Sequence, residues 1–512
     1  MSQQTSNPFQ VDISTVVAAG PMLGHALEDR SEIRNSQEQD LVSYIDDVSA
    51  IELFPSDAAS SFVVAPLDIL VSREDDHIQF HIIEMNGTGI GGVSNLPASV
   101  VQSVLASIRE AVADIARPDA IVLLPVSGKE DESNPRLNKL MHEKMMFAQA
   151  IADGLADAQG QAEVITLCGL QTGKQQLCSD RPTVVIGYMK ELLEACSVIP
   201  SGTLLLGGRP VVGALNDRFC LNLLNKFPTI DLDQFHPING TYLAGGDKGI
   251  AYSLLDEHLV YLPSAVFPTR VHHAHATDPA ELIATVLDWI HEGRRPVIKP
   301  HGTGIGHGIE FFLDPSESVE SICKRIHDSI ETTQEYYGTD EGAFPYTICE
   351  YIESDVIQAE DHQFNGHKYE LRVVVYRDEK YLRACPSIAK VAPIAFDSSN
   401  PNRENLINNI TNASAVHQKN GTDQMLPLCS QATLQLLEIS AGELGKLCRV
   451  ATRFVQQAIR EIPKQRIQMQ RILAGQSALP KLSSDQPKAQ NPRANDDSEP
   501  QLSGRLVTAK AR

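Results

Sequence analysis

Short apolar runs and alternating apolar and polar positions dominate the first part of the chain and predict β-strands. Residues 62–71 and 78–85 each have strand length, and the polar turn 73–76 between them predicts a hairpin. Pro66 lies inside the first run and indicates an edge strand or a bulge, because proline cannot donate to a β-ladder. Apolar residues at helical spacing then predict a helix over 96–116.

Strand and helix patterns alternate from about Pro118 onward. This alternation is typical of a parallel α/β layer, so we expect a second structural unit here. The predicted elements are strands 120–126, 162–167 and 183–188 and helices 139–155 and 216–227.

A third series of elements begins with a helix over 278–291, in which Asp278 is the N-cap and Pro279 occupies the first position. The three histidines of 272–275 precede it. No cysteine or carboxylate stands beside them at ligand spacing, so this segment is interpreted as a structural linker and not as a metal site. The remaining predictions are strand 296–300, helix 317–330, strands 346–352 and 368–376, and a mostly helical segment 431–462.

Composition narrows the class of protein. The chain has 512 residues, 42% hydrophobic and 21% charged, which excludes a wholly disordered protein. Its net charge of −22 argues against a general nucleic-acid binder. No apolar run approaches the ~20 residues of a membrane span, and the first residues do not resemble a signal peptide. The nine cysteines form no C-x-x-C pair, which favours reduced thiols in a cytoplasmic protein.

The stretch 294–310 carries the strongest chemical signal. It consists of a strand ending in Lys299, a glycine-rich loop and a second strand. Glycines let backbone N–H groups approach phosphate oxygens, and a lysine supplies a point charge for the same oxygens. The order of residues is not that of a Walker loop, and no helix follows the glycines. A flap over phosphates is therefore predicted, with a flexible hairpin as the alternative. Its candidate ligands are Lys299, Gly302, Thr303, Gly304, Gly306 and Gly308.

Two further strands carry polar residues at their ends or along one face. The stretch 347–355 is a strand ending in acids, and its backbone and carboxylates suit a purine and a ribose, although a simple exit into a loop also explains it. The alternating strand 368–376 places Glu370 and Arg372 on one face, which is either a phosphate-facing or a solvated face. An asparagine-rich loop follows at 403–412. The candidate nucleotide ligands here are Glu350, Tyr351, Ile352, Glu353 and Asp355.

These motifs, taken together, resemble the ATP-grasp superfamily from about residue 216 to 412. The resemblance consists of a strand ending in lysine, a glycine-rich flap, an acidic E-x-x-I strand, an E-x-R strand and an asparagine loop. In the family a second basic residue, usually a lysine, often follows an aspartate upstream. This sequence has Arg218 at that position. The resemblance implies a phosphate contact for Arg218, although it departs from the usual lysine.

The family also has an acid on one strand and E-x-N on the next, which hold Mg²⁺ between phosphates. No such pair follows Asn412. Asp68, Glu84 and Asn86 instead form this pattern in the N-terminal hairpin, where Glu84 and Asn86 face the same way from one strand. We therefore expect a circularly permuted ATP-grasp fold with these three residues as metal ligands. An ordinary hairpin with polar surface residues is the alternative.

The resemblance implies an ATP- and Mg²⁺-dependent ligase that joins a carboxylate to an amine through an acyl phosphate. Lys299 and Arg372 would be catalytic, with Asn408 or Asn409 helping to position the phosphoryl group. Lys390 is a further candidate for a phosphate or a substrate carboxylate. A small-molecule kinase and a non-catalytic nucleotide-binding scaffold are the alternatives. The expected partners are small acids and amines, with no nucleic acid and no membrane; the sequence leaves the oligomeric state open.

The expected fold class is α/β, with α+β ATP-grasp lobes and a preceding parallel α/β domain. The predicted divisions are a loose arm (1–35), the permuted metal-binding part (36–117), the parallel domain (118–230), the nucleotide-binding lobes (231–430), C-terminal helices (431–475) and a disordered tail (476–512).

Overall fold

The protein is described as a computed structural model. The described residues are 36–53, 62–74, 77–87, 96–126, 137–240, 249, 252, 270–300, 308–337, 344–406 and 425–473. The predicted arm 1–35 and tail 476–512 lie outside them. The fold class is mixed α/β, as predicted.

The N-terminal segment forms a long hairpin flanked by helices. Its elements are α1 (Ser36–Ser49), β1 (Ile51–Glu52), β2 (Val64–Glu74), β3 (His77–Met85) and α2 (Ala98–Ala113). Leu67, Ile69 and Val71 of β2 are fully buried in one apolar core. Asp68 lies on the opposite face of the strand, because successive side chains of a strand alternate between faces.

The second segment forms a seven-stranded sheet in which β5, β6, β4 and β9 run parallel. Its elements are β4 (Ile121–Val126), α3 (Leu137–Gln159), β5 (Glu163–Thr166), α4 (Leu167–Gln171), β6 (Thr183–Tyr188), α5 (Met189–Ala195), β7 (Cys196–Val198), β8 (Leu204–Leu206), β9 (Arg209–Ala214), α6 (Asp217–Lys226) and β10 (His236–Pro237). Strands β7 and β8 extend the sheet in antiparallel order, and β10 pairs with β9.

The third segment forms a four-stranded antiparallel sheet in the order β11-β14-β12-β13. Its elements are β11 (His273–Ala276), α7 (Pro279–His291), β12 (Pro296–Pro300), β13 (Glu310–Phe311), α8 (Val319–Tyr337) and β14 (Tyr346–Glu350). The Asp278 side chain accepts hydrogen bonds from two backbone N–H groups and caps α7. The linker predicted at 272–275 is wrong: the alternating H-A-H-A pattern pairs with β14 as an edge strand.

The last segment returns to the N-terminal hairpin. It contains β15 (Tyr369–Asp378), β16 (Tyr381–Val391), α9 (Arg403–Leu406), β17 (Met425–Pro427), α10 (Gln431–Leu436) and α11 (Ala441–Leu473). Together these strands and the hairpin form a six-stranded sheet in the order β1-β16-β15-β2-β3, with β17 beside β16. One sheet is thus assembled from two parts of the sequence that lie about three hundred residues apart.

Pro66 does not mark an edge strand, because β2 lies between β15 and β3. The Pro66 carbonyl accepts a hydrogen bond from the Asn86 N–H, so the residue remains part of the ladder without donating. The register between β2 and β3 shifts nearby, between Asp68 and Ile69. A shift of this kind re-aims side chains, and here it falls beside the candidate metal ligands.

The six-stranded sheet packs one face against α1, α10 and α11 in a large apolar core. On the other face, Val64, Val374 and Tyr376 pack toward α2 and the parallel sheet. The rest of that second face carries the charged side chains described below. No helix in the described ranges is both long enough and apolar enough to cross a bilayer.

Candidate functional site

Lys299 lies on the face of the four-stranded sheet that points away from its helices. Ile298 and Ile348 face α7 and α8 in one core cluster. Lys299 pairs with Thr347 on the neighbouring strand, and Val297 pairs with Cys349, so these four residues share the opposite face. The lysine therefore points away from α7 and α8, and Glu84 of the six-stranded sheet contributes to its electrostatic surroundings.

The Lys299 ammonium group is held by a tyrosine that the sequence analysis did not single out. Lys299 Nζ donates a hydrogen bond of 2.7 Å to the Tyr252 hydroxyl and lies 5.3 Å from the centre of its ring. Burial alone would lower the pKa of Lys299, but Cys349, Tyr252 and Glu84 together raise it well above its usual range. The lysine is thus a fixed cation at neutral pH.

The glycine-rich loop is described only at its end, because Gly302, Thr303, Gly304 and Gly306 lie outside the described residues. Gly308 has a φ of +68°, a conformation that glycine adopts without strain. Its carbonyl accepts a hydrogen bond of 2.6 Å from Ser329 Oγ, and an added Cβ would collide with Thr333 Oγ1. The loop is therefore anchored to α8 where it ends.

The facing side of the six-stranded sheet carries a compact cluster of buried charges. Asp68 accepts two hydrogen bonds of 2.8 Å from Arg372, one on each carboxylate oxygen. Lys390 Nζ lies 3.2 Å from Asp68 Oδ2 and also forms an ion pair with Glu370. The register of the sheet brings these residues together, since Arg372 pairs with Asp68 and Glu370 pairs with Lys390. We refer to Asp68, Glu370, Arg372 and Lys390 as the charge cluster.

Burial and partners act in opposite directions within the charge cluster. Burial alone would raise the pKa of Asp68, but the charges and hydrogen bonds of Arg372 and Lys390 lower it far below its usual range. Burial raises the pKa of Glu370 in spite of Lys390. For Arg372, burial would lower the pKa, and Asp68, Glu370 and Glu84 raise it. Asp68 is therefore a carboxylate and Arg372 a guanidinium at any physiological pH.

The predicted metal ligands converge at one end of the charge cluster. Glu84 pairs with Asp68 across β2 and β3, and Asn86 Nδ2 donates a hydrogen bond of 2.9 Å to Asp68 Oδ2. Glu84 is partly buried and interacts electrostatically with both Lys299 and Arg372. Glu84 thus lies where the two sheets face each other.

The side chains of Asp68, Glu84 and Asn86 all carry oxygen atoms, which Mg²⁺ prefers as ligands. Glu84 offers carboxylate oxygens, and Asn86 turns its amide oxygen away from Asp68 because its amide nitrogen faces Asp68. These two residues fit a hard cation. Each carboxylate oxygen of Asp68 already accepts a hydrogen bond from Arg372. These contacts do not favour Asp68 as a metal ligand, and that role stays a prediction. Among the described residues, no three His, Cys, Asp or Glu side chains converge on one point.

At the end of β14, where the sequence predicts adenine contacts, two backbone N–H groups are already hydrogen-bonded within the protein. The Glu350 N–H donates to the His272 carbonyl and the Tyr351 N–H to the Arg295 carbonyl. Glu350 also lies on the face of β14 opposite to Lys299, because it alternates with Cys349. Tyr351 is buried, carries Arg295 4.7 Å from its ring centre, and has no hydrogen-bond partner for its hydroxyl among the described residues.

The two acids beyond this strand have separate surroundings. Glu353 is half exposed and forms ion pairs with Arg295 at 3.0 Å and Lys368 at 2.9 Å. Burial alone would raise the pKa of Glu353, but Lys368 and Arg295 lower it. Asp355 pairs with Arg73 of β2 and accepts a hydrogen bond of 3.3 Å from Tyr369. Asp355 therefore ties the segment after β14 to the six-stranded sheet.

The remaining predicted residues are placed only in part. Ile352 is partly buried beside Tyr351. Arg218 lies in the first turn of α6, and its side chain is outside the described part of the chain. Asn408 and Asn409 also lie outside the described residues. The sequence analysis missed Tyr252 altogether and named Lys390 without a partner; the only signal for Lys390 was its place on an alternating apolar stretch.

No known protein family matches the chain, and no curated protein matches it. A crystal structure provisionally named a gamma-glutamylcysteine synthetase, from Methylobacillus flagellatus KT, is similar at 12% identity and a TM-score of 0.39, over 90% of this chain and 98% of that one. A glutathione synthetase-like effector from Globodera pallida, solved in its apo form, is similar at 14% identity and a TM-score of 0.33. The match covers 76% of this chain and 86% of that one.

Proposed function

We propose that the protein is an ATP- and Mg²⁺-dependent ligase that joins a carboxylate to an amine through an acyl phosphate. One observation carries the proposal: Glu84 interacts electrostatically with Lys299 on one sheet and with Arg372 on the other. Two fixed cations, one on each sheet, therefore share an electrostatic neighbour that could ligate a metal. Transfer of a phosphoryl group needs that combination of charges more than it needs acid–base groups.

The nucleotide would lie between the two sheets. Lys299 and the loop Gly302–Gly308, with Thr303, would contact the phosphates. Tyr351, Ile352 and the backbone after Glu350 would contact the adenine, and Glu353 the ribose. Asp355 would not contact the nucleotide but would hold the segment after β14 in place through Arg73 and Tyr369. Arg218 is kept as a candidate phosphate ligand on resemblance alone.

The metal would bind Glu84 and Asn86, whose oxygens are of the hard type that Mg²⁺ selects. When bound, it would neutralise charge on the ATP phosphates. We assign Asp68 in this proposal to orienting Arg372 and Lys390, since its carboxylate already bonds to both. A metal role for Asp68 remains the alternative taken from the family pattern.

The chemistry follows from charge placement. The substrate carboxylate oxygen attacks the γ-phosphorus of ATP, the bond to the bridging oxygen breaks, and ADP leaves. An amine nitrogen then attacks the acyl carbon, phosphate leaves, and the amine gives up a proton as the amide forms. Arg372 would stabilise negative charge on the transferred phosphoryl group, and Lys299 would hold the ADP side.

Two other functions would use the same nucleotide-binding half. A small-molecule kinase would yield a stable phosphorylated product and no amide. A non-catalytic nucleotide-binding scaffold has no use for the Glu84–Asn86 pair. The presence of that pair beside Arg372 favours an enzyme over a scaffold.

The order of strands supports a permuted ATP-grasp arrangement. The candidate metal ligands lie on β2 and β3, before the parallel domain in sequence, and their sheet is completed by β15 and β16. The β15 partner of Asp68, Arg372, thus comes from the end of the nucleotide-binding part of the chain, and Glu84 pairs with Asp68 on the other side.

The test is ADP release with ATP, Mg²⁺ and pooled carboxylates and amines. We expect release that requires both an acid and an amine, and we expect the variant Glu84→Gln to lose at least 100-fold in rate. Glu320→Gln, on the exposed side of α8, is the matched control and should keep wild-type activity. Release with an alcohol or an acid alone would favour the kinase, and full activity in Glu84→Gln would contradict the proposed metal site.

A further inference from the structure

The Tyr252 hydroxyl forms the middle of a chain of three polar groups, of which Lys299 and Cys349 lie on the four-stranded sheet. Lys299 Nζ donates to it over 2.7 Å, and the hydroxyl in turn donates to Cys349 Sγ over 3.7 Å. The direction of this chain is fixed, because an ammonium group can only donate hydrogen bonds. The Tyr252 hydroxyl therefore directs its hydrogen toward Cys349 Sγ and an oxygen lone pair toward Lys299.

The tyrosine ring is itself held in place. Tyr252 is 1% exposed and packs in an apolar cluster with Val271 and Val297. Its ring centre lies 5.5 Å from that of His273 on the edge strand. Burial and the neighbouring thiol raise the pKa of Tyr252, so the phenol stays neutral and does not cancel the lysine charge.

The geometry points to Tyr252 as a positioning residue for Lys299, with Cys349 orienting the hydroxyl. The inference rests on the proposed function, since it assigns Lys299 to the ATP phosphates. A lysine side chain is a flexible four-carbon stem, and holding its ammonium group at one point before ATP arrives removes an ordering penalty from binding. A neutral partner performs this task without neutralising the charge that the phosphates need.

The test compares ATP with adenosine, because adenosine has no phosphate for Lys299 to contact. Tyr252→Phe removes one oxygen and keeps the ring. We expect it to weaken ATP binding about 10-fold, the value of one hydrogen bond to a charged group, and to leave adenosine binding within about twofold. Calorimetric titration measures the first, and a nuclear magnetic resonance titration measures the second.

A double-mutant cycle tests whether Tyr252 acts through Lys299. Lys299→Met combined with Tyr252→Phe should bind ATP no more weakly than Lys299→Met alone, because the hydroxyl then has no ammonium group to hold. Cys349→Ala should weaken ATP binding about threefold, and Cys349→Ser, which keeps an acceptor, should restore part of that loss.

The results distinguish failure of the positioning role of Tyr252 from failure of the proposed function. Unchanged ATP affinity in Tyr252→Phe, equal losses for ATP and adenosine, or additive effects in the cycle would each overturn the positioning role. A wild-type protein that binds no ATP would contradict the proposed function itself. If Tyr252→Phe does not fold, the Cys349→Ala and Cys349→Ser pair decides the question in the same assay.

Discussion

The two sheets to which the proposed function assigns the nucleotide hold their charges in opposite ways. On the six-stranded sheet, the charge cluster sets two acids against two bases, and Asp68 is 4% exposed and Arg372 9%. On the four-stranded sheet, the Lys299 ammonium group contacts a neutral phenol. Within the described residues, no carboxylate lies within ion-pairing distance of that group.

The comparison shows two ways of holding a cation: Arg372, which the proposed function also uses, is held by carboxylates, and Lys299 is held by neutral groups. A buried cluster that is nearly neutral holds its sheet together, and removing one member leaves another charge buried without a partner. A cation held by neutral groups retains its field for a ligand. We therefore expect substitutions in the charge cluster to change folding first, and substitutions at Lys299 to change binding first.

The largest effect is expected from Asp68→Asn. This change leaves Arg372 and Lys390 buried without their shared carboxylate and should reduce the free energy of unfolding by about 3–5 kcal/mol. Urea denaturation measures it. Glu84→Gln on the adjacent strand is the control and should reduce it by less than about 1 kcal/mol, because Glu84 is only partly buried. Similar losses for both variants would remove the distinction between the two sheets.

Lys299→Met should show the opposite behaviour. ATP affinity should fall about 100-fold, equivalent to about 2.7 kcal/mol, whereas the free energy of unfolding should change by less than about 1 kcal/mol. Lys324→Met, at an exposed position of α8, is the matched control for loss of a positive charge. A Lys299→Met protein that unfolds easily but still binds ATP would contradict the account.

His81 gives the stability of the six-stranded sheet a dependence on pH. Burial lowers the pKa of His81 to about 4, against about 6.5 in the unfolded chain. The unfolded chain takes up the proton first, so stability falls as the pH drops from about 6.5 to 4, by about 3 kcal/mol. His81→Gln should flatten this part of a stability-versus-pH curve measured by denaturation.

Below that window the same curve reports on Asp68. Its pKa is lowered in the folded protein, so its stabilisation is present above its usual pKa and is lost as the pH falls below about 4. Asp68→Asn should lack this second loss. A wild-type curve that is flat from pH 6.5 to 3 would contradict both assignments.

The smallest effect is expected at Glu353, which joins Arg295 and Lys368. Its side chain is 54% exposed, so Glu353→Gln should change the free energy of unfolding by only about 1 kcal/mol or less. If it contacts the ribose, ATP and adenosine affinities should fall together, by about threefold. A loss for ATP alone would place Glu353 near the phosphates.

Local patterns in the sequence were sufficient for most elements. The caps and apolar spacing around α7 and the alternation in β15 predict those elements well, and the parallel strands follow from their apolar runs. Strand β16 was missed because Pro386 interrupts it, and helix α1 was missed because its sequence is mostly polar. Strand β11 was mistaken for a linker because its histidines suggested no strand.

The site was harder to predict because its contacts are long-range. Asp68 and Arg372 are 304 residues apart in sequence, and only the sheet order shows that they pair. Tyr252 stands in a stretch without any motif, and its role appears only from its contacts with Lys299 and Cys349. The residue types of a site could be read from the sequence, but the charges that cancel one another could not.

The most direct test of the central claim is trapping of the acyl phosphate with hydroxylamine. Wild-type protein would be incubated with ATP, Mg²⁺, hydroxylamine and a panel of carboxylic acids, beside Lys299→Met and Lys324→Met. The account predicts a hydroxamate that requires ATP and one class of acid, that Lys299→Met fails to form, and that Lys324→Met forms normally. ADP release without any hydroxamate, accompanied by a stable phosphorylated product, would contradict it.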